Sequence, residues 1–134
     1  MNLKQSLLFG VLFWLIIFVE VSIIGFSPDL SIMGDNGFQF NQTGIIIHLI
    51  ATTLIAGILA RLYYKQEKPA FIDALQVAVV MVIAGLILDV VITVPLFVKS
   101  YSAHFGSANL WIGVTLSVLA FAIASSYKSY GKKK

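Results

Sequence analysis

The chain has 134 residues, of which 59% are apolar and 11% charged, with a net charge of +3 and no cysteine. A soluble domain carries about 25% charged residues, and a core of this size could not hide so much apolar surface. The composition therefore points to lipid as the solvent, and the lack of cysteine excludes disulfides, thiolate metal sites and a thiol nucleophile.

The first apolar run is Leu7 to Phe26, broken by Glu20 and small residues. Roughly 20 residues at a helical rise of about 1.5 Å cross the hydrocarbon core. The run is too long for a cleaved signal peptide, and no small-x-small cleavage site follows, so a retained helix is expected. Ser27-Pro28 ends it, because proline disfavours helical geometry in the residue before it.

Residues 27–43 form the longest loop, with the turn formers Asp29, Gly34, Asp35, Asn36 and Gly37. Phe38 and Phe40 alternate with Gln39 and Asn41, which suggests a segment lying on the membrane interface. Asn41-Gln42-Thr43 matches the N-glycosylation pattern but abuts the next helix.

The second span, about 44–64, ends in an aromatic and basic belt of Arg61, Tyr63, Tyr64, Lys65 and Lys68. The third, about 71–98, is long enough to tilt, and Pro95 should loosen its last turns. A short loop with Lys99, Tyr101 and His104 leads to the fourth span, about 108–127. No repeat or linker divides the chain, so residues 1–134 are expected to form one all-α domain, an integral membrane four-helix bundle.

Basic residues set the expected orientation. Lys4, Arg61, Lys65, Lys68, Lys128, Lys132, Lys133 and Lys134 fall on one side, and Lys99 alone falls on the other. The basic side is normally cytoplasmic. Both termini are therefore expected in the cytoplasm, and loops 27–43 and 99–107 outside.

Helices associate in lipid where small residues let their backbones approach. The second span carries Gly44, His48, Thr52, Ala56 and Ala60 on one stripe. The third carries Ala74 and Ala78, then Gly85, Asp89 and Thr93, and the fourth Gly113, Ser117, Ala120 and Ala124. The first span, with Phe9, Phe13, Trp14, Ile17 and Phe18, is bulkier and is expected at the periphery or against a second copy.

Glu20, His48 and Asp89 are the ionisable residues placed well inside the spans, away from the basic ends. A charge at a helix centre costs about 2.5–3.5 kcal/mol on insertion scales, so such residues usually face protein or water. From the helix rise, Glu20 lies roughly 9 Å, His48 roughly 7 Å and Asp89 roughly 12 Å below the outer surface. Because the spans alternate in direction, all three fall in the outward half. An outward-opening cavity lined by Glu20, His48, Asp89, Thr52 and Thr93 is the expectation. No Lys or Arg lies at that depth, so one carboxyl is protonated, or His48 is, or a cation is bound, or Lys99 reaches down from the rim. The alternative is structural: Asp89 bonds His48 or a threonine and locks two helices, while Glu20 snorkels to the interface. A metal set of His48, Glu20, Asp89 and His104 has suitable ligand types but no supporting local spacing. Trp14 is read as packing and Trp111 as an interfacial anchor.

The stretch Leu86-Ile87-Leu88-Asp89-Val90-Val91-Ile92-Thr93-Val94-Pro95-Leu96-Phe97, with the opening Phe9-Gly10-Val11-Leu12-Phe13-Trp14, resembles a pattern in small prokaryotic four-span membrane proteins of unassigned function. The resemblance implies the fold and a plasma-membrane setting, and carries no activity. The small multidrug-resistance transporters are similar in length and place a glutamate in the first helix, as Glu20 here. The third span lacks their glycine- and tryptophan-rich signature, so drug export is not carried over.

Two function classes follow. One is an accessory or structural membrane protein acting through helix packing with a partner or with itself. The other is a small proton- or cation-coupled transporter using Glu20, His48 and Asp89, oligomeric because four helices make a narrow bundle. An enzyme, a cofactor and a nucleic-acid partner are not expected; the lipid bilayer is.

Overall fold

The computed structural model describes residues 2–35, 37–65 and 68–127. Asn36 and the basic tail from Lys128 through Lys132, Lys133 and Lys134 lie outside the described residues, so the expectations resting on them are not addressed by it.

The first helix, α1 (Leu3–Gly25), begins where the Asn2 side chain accepts from Gln5 N at 3.2 Å, which meets one of the free N–H groups of a helix start. It ends just before Ser27-Pro28. The expected loop then holds a hairpin of β1 (Ser31–Gly34) and β2 (Gly37–Phe40), paired antiparallel with Ser31 opposite Phe40 and Gly34 opposite Gly37. Gly37 takes φ +92°, a backbone angle that glycine adopts without strain.

Asn41 caps α2 (Gln42–Tyr64), accepting from Gly44 N at 2.9 Å. Its amide nitrogen donates to Asp29 O at 2.7 Å. The asparagine of the glycosylation match therefore ties the loop to the helix start through both ends of its carboxamide. After Pro69, α3 (Phe71–Leu88) begins, and the chain continues unbroken as a π-helix, Asp89–Val98. Ser100 caps the short α4 (Tyr101–Phe105), accepting from Ala103 N at 3.2 Å. The last helix is α5 (Ala108–Ser126).

The π register explains how Pro95 is accommodated. Its bonds run from residue i+5 back to i, as where Lys99 N donates to Val94 O at 2.7 Å. Pro95 has no N–H to send to Val90 O in this register. The Tyr101 hydroxyl donates to Val90 O instead, at 3.1 Å.

Four helical segments, Leu3–Gly25, Gln42–Tyr64, Phe71–Val98 and Ala108–Ser126, are long and apolar enough to cross a membrane. They close into a ring, α2 on α5, α5 on α3, α3 on α1 and α1 on α2. Small residues make the inner contacts: Gly44, Thr52, Ala56 and Ala60 of the α2 stripe are buried, as are Ala74, Ala78, Gly113 and Ser117. Large apolar side chains such as Leu15, Val19, Leu54, Ile58, Ile83, Ile87 and Ile123 stand exposed on the outside.

The first helix is not peripheral. Gly10 lies so close to α3 that a Cβ there would stand 2.7 Å from Met81 O and 2.8 Å from Ala84 Cβ. A single glycine supplies the close approach that the bulky neighbours of α1 deny. The apolar core sits at the end remote from the hairpin, where Ala60, Tyr63, Val77, Ala78, Met81 and Phe121 pack with Phe9 and Phe13. Tyr63 is fixed there by a 2.9 Å hydrogen bond between its hydroxyl and that of the buried Ser6.

Candidate functional site

Glu20, His48, Asp89 and His104 gather at the other end, under the hairpin, in two separate networks. The first joins α1 to α2. His48 Nδ1 and Glu20 Oε2 share a hydrogen bond of 2.8 Å, and Thr52 Oγ1 lies 3.4 Å from the same nitrogen. Thr52 is placed one helical turn from His48. The Phe40 ring stands edge-on to the imidazole, with centroids 5.8 Å apart. Glu20 does not snorkel, and its other oxygen, Oε1, is buried with no hydrogen-bond partner among the described residues.

The second network joins α1, the π-helix and α4 around Asp89. Its Oδ1 accepts from Trp14 Nε1 at 2.9 Å and from Thr93 Oγ1 at 2.7 Å. Its Oδ2 lies 3.2 Å from His104 Nε2. The Trp14 ring also stacks on Phe18, which meets Phe97 edge-on. The four ionisable side chains are only 14–18% exposed.

This arrangement corrects several expectations. Glu20, His48, Asp89, Thr52 and Thr93 do not line one shared cavity; they close onto partners in two sets. Asp89 bonds His104 and not His48, because α1 lies between α2 and α3 in the ring and supplies His48's carboxylate partner, Glu20. For the same reason the set His48, Glu20, Asp89 and His104 is not assembled. Among the described residues no group of three or more His, Asp or Glu is placed to hold a metal ion. Trp14 is a polar link as well as packing, and His104 lies on a helical turn and not in an open loop.

His104 and Trp14 are the residues whose roles the sequence reading missed. The signal for His104 was a serine cap at Ser100 and a glycine stop at Gly106, bracketing Tyr101–Phe105. For Trp14 it was an indole N–H in mid-span, a donor that needs a partner once buried.

The chemistry of the two networks differs. Three side chains engage both oxygens of Asp89, so its carboxyl group is held fast and works as a clamp between elements. Glu20 has one oxygen engaged and one unengaged, and His48 Nε2 makes no hydrogen bond among the described residues. A carboxyl and an imidazole sharing one hydrogen bond can pass a proton between them, with Nε2 as the exchange point.

No family model, no curated protein and no solved structure matches the chain.

Proposed function

We propose that this chain is a multi-pass membrane protein with its basic side in the cytoplasm, and that its Glu20–His48 pair is the proton- or cation-binding centre of a small coupled transporter. One observation carries the reading. A carboxylate inside a helix long enough to span a membrane has an imidazole on one oxygen and, among the described residues, no partner on the other, buried one. An ionisable group at such a position is costly, and a site at which a proton or cation binds and leaves accounts for keeping it. The apolar exterior of all four helices supports the membrane setting. The distribution of Lys and Arg supports the orientation, which a reporter fused to either terminus tests.

The experiment is flux. The native chain, reconstituted in liposomes loaded with a pH-sensitive dye, should dissipate an imposed proton or monovalent-cation gradient. Glu20→Gln should abolish the flux while leaving the helical content unchanged. Flux that survives in Glu20→Gln, or no flux from the native chain, removes the transport reading.

A second reading, an accessory protein acting through helix packing, has its own support in the Asp89 network. There a carboxylate knits three elements and has no oxygen left over. That reading expects Asp89→Asn to lower thermal stability or partner recovery without any flux to lose.

A further inference from the structure

The hairpin leaves an apolar edge that neither network uses. Phe26 is 76% exposed and Met33 72% exposed, the highest values among the large apolar residues of the chain's described part. They belong to one surface. Phe26 packs edge-on against Phe38, with centroids 5.0 Å apart, and Phe38 is the cross-strand partner of Met33. Gly25 permits this, since a Cβ there would stand 2.6 Å from the Phe38 ring.

Side chains alternate between the faces of a strand, so Ser31 and Met33 share one face and Ile32 takes the other. Ser31 is buried and donates to Gly25 O at 2.6 Å, which turns its face toward the end of the bundle. Met33 points the same way but overhangs the edge. Ile32 and its partner Gln39 face away, and both are exposed. The overhanging face is continuous with the exposed stripe of α1. Val19, Ile23 and Phe26 follow one another at helical spacing and are all exposed.

We propose that the face bearing Phe26, Met33 and Phe38 rests in the outer leaflet, at the boundary between headgroups and acyl chains, while Ile32 and Asp35 face water. The occupant of this surface is lipid because the surface extends, without a polar break, the lipid-facing stripe of α1. The inference therefore rests on the membrane insertion proposed above. It differs from the expectation that Phe38 and Phe40 would share the interface, because Phe40 turns inward onto His48. Anchored in this way, the hairpin holds Phe40 over the imidazole.

The chain has no cysteine, so single nitroxide labels can be placed without removing native thiols. Met33→Cys, Asp35→Cys and Leu54→Cys are each labelled in phosphatidylcholine vesicles, with circular dichroism to check the fold. Accessibility is then compared between oxygen, which partitions into lipid, and a water-soluble nickel chelate. The Leu54 and Met33 labels should be reached mainly by oxygen, with Met33 the shallower, and the Asp35 label by nickel. A Met33 label as open to nickel as Asp35, with Leu54 still in lipid, overturns the hairpin proposal alone. A Leu54 label open to nickel overturns the membrane insertion and the hairpin proposal with it.

Discussion

Trp14 and Glu20 stand six residues apart on α1 and bond to different helices, Trp14 to Asp89 and Glu20 to His48. Six residues are about 600° of helix, so the two side chains diverge by roughly 120° around the axis and about 9 Å along it. One helix thus supplies a member to each polar network, and each network tests separately.

Replacing Trp14 with Phe keeps a six-membered aromatic ring beside Phe18 and removes the donor to Asp89. Asp89 retains Thr93 and His104, so the loss should be about 1 kcal/mol, the usual scale for one hydrogen bond. Thermal unfolding in detergent should show a lower midpoint, and proton flux should persist. A midpoint equal to that of the native chain would mean that the indole bond adds nothing.

Glycine positions separate close approach from helix propensity. Alanine is the better helix former by about 1 kcal/mol. At Gly10 the new Cβ meets the backbone of Met81, so Gly10→Ala should destabilise by about 1–3 kcal/mol despite that gain. At Gly57 the nearest atom is Ala124 Cβ at 3.9 Å, and Gly57→Ala should be neutral or stabilising. Equal effects at the two sites would contradict the α1–α3 packing.

The Tyr101 hydroxyl substitutes for the N–H that Pro95 lacks. Tyr101→Phe should cost about 1 kcal/mol by leaving the Val90 carbonyl without its donor. Adding Pro95→Ala restores a backbone N–H in reach of the same carbonyl, so the double variant should regain most of the loss. Additive losses in a double-mutant cycle would show that the two residues do not serve one carbonyl.

Asn41 should behave as a cap and not as a glycan acceptor. Asn41→Ala should cost about 1 kcal/mol, the usual price of a lost N-cap. In a host that glycosylates, the native chain should show no mass increment at Asn41, because the nitrogen that would carry the sugar donates to Asp29 O. A glycosylated, fully folded product would disprove this use of the side chain.

Much of the bundle was legible in the chain. Apolar run length and punctuation bring the helix limits within a few residues of those observed, as with Ser27-Pro28 after α1 and Lys68-Pro69 before α3. The four-residue spacing of Gly44, Thr52, Ala56 and Ala60 marks a face that the structure buries, and Thr93, one turn beyond Asp89, bonds it.

Other features were not legible, for physical reasons. Which carboxylate meets which histidine depends on the order of helices around the ring, and the spans alone are compatible with several orders. Gly10 stands alone among bulky residues, so its effect depends on the facing Met81 and Ala84. The π register leaves no mark in composition. Pro95 signals only that the ladder is interrupted, and the remedy comes from Tyr101, beyond the end of the π-helix.

The ring closure also has a temporal consequence. Glu20 and His48 are separated by 28 positions, Trp14 and Asp89 by 75. Synthesis runs from the N-terminus, so α1 and α2 can join their polar groups while α3 is still being made. Asp89 is made later, after Trp14, and it acquires His104 only once the turn beyond the π-helix has emerged. The order of synthesis thus limits how long either carboxylate is without a partner during assembly.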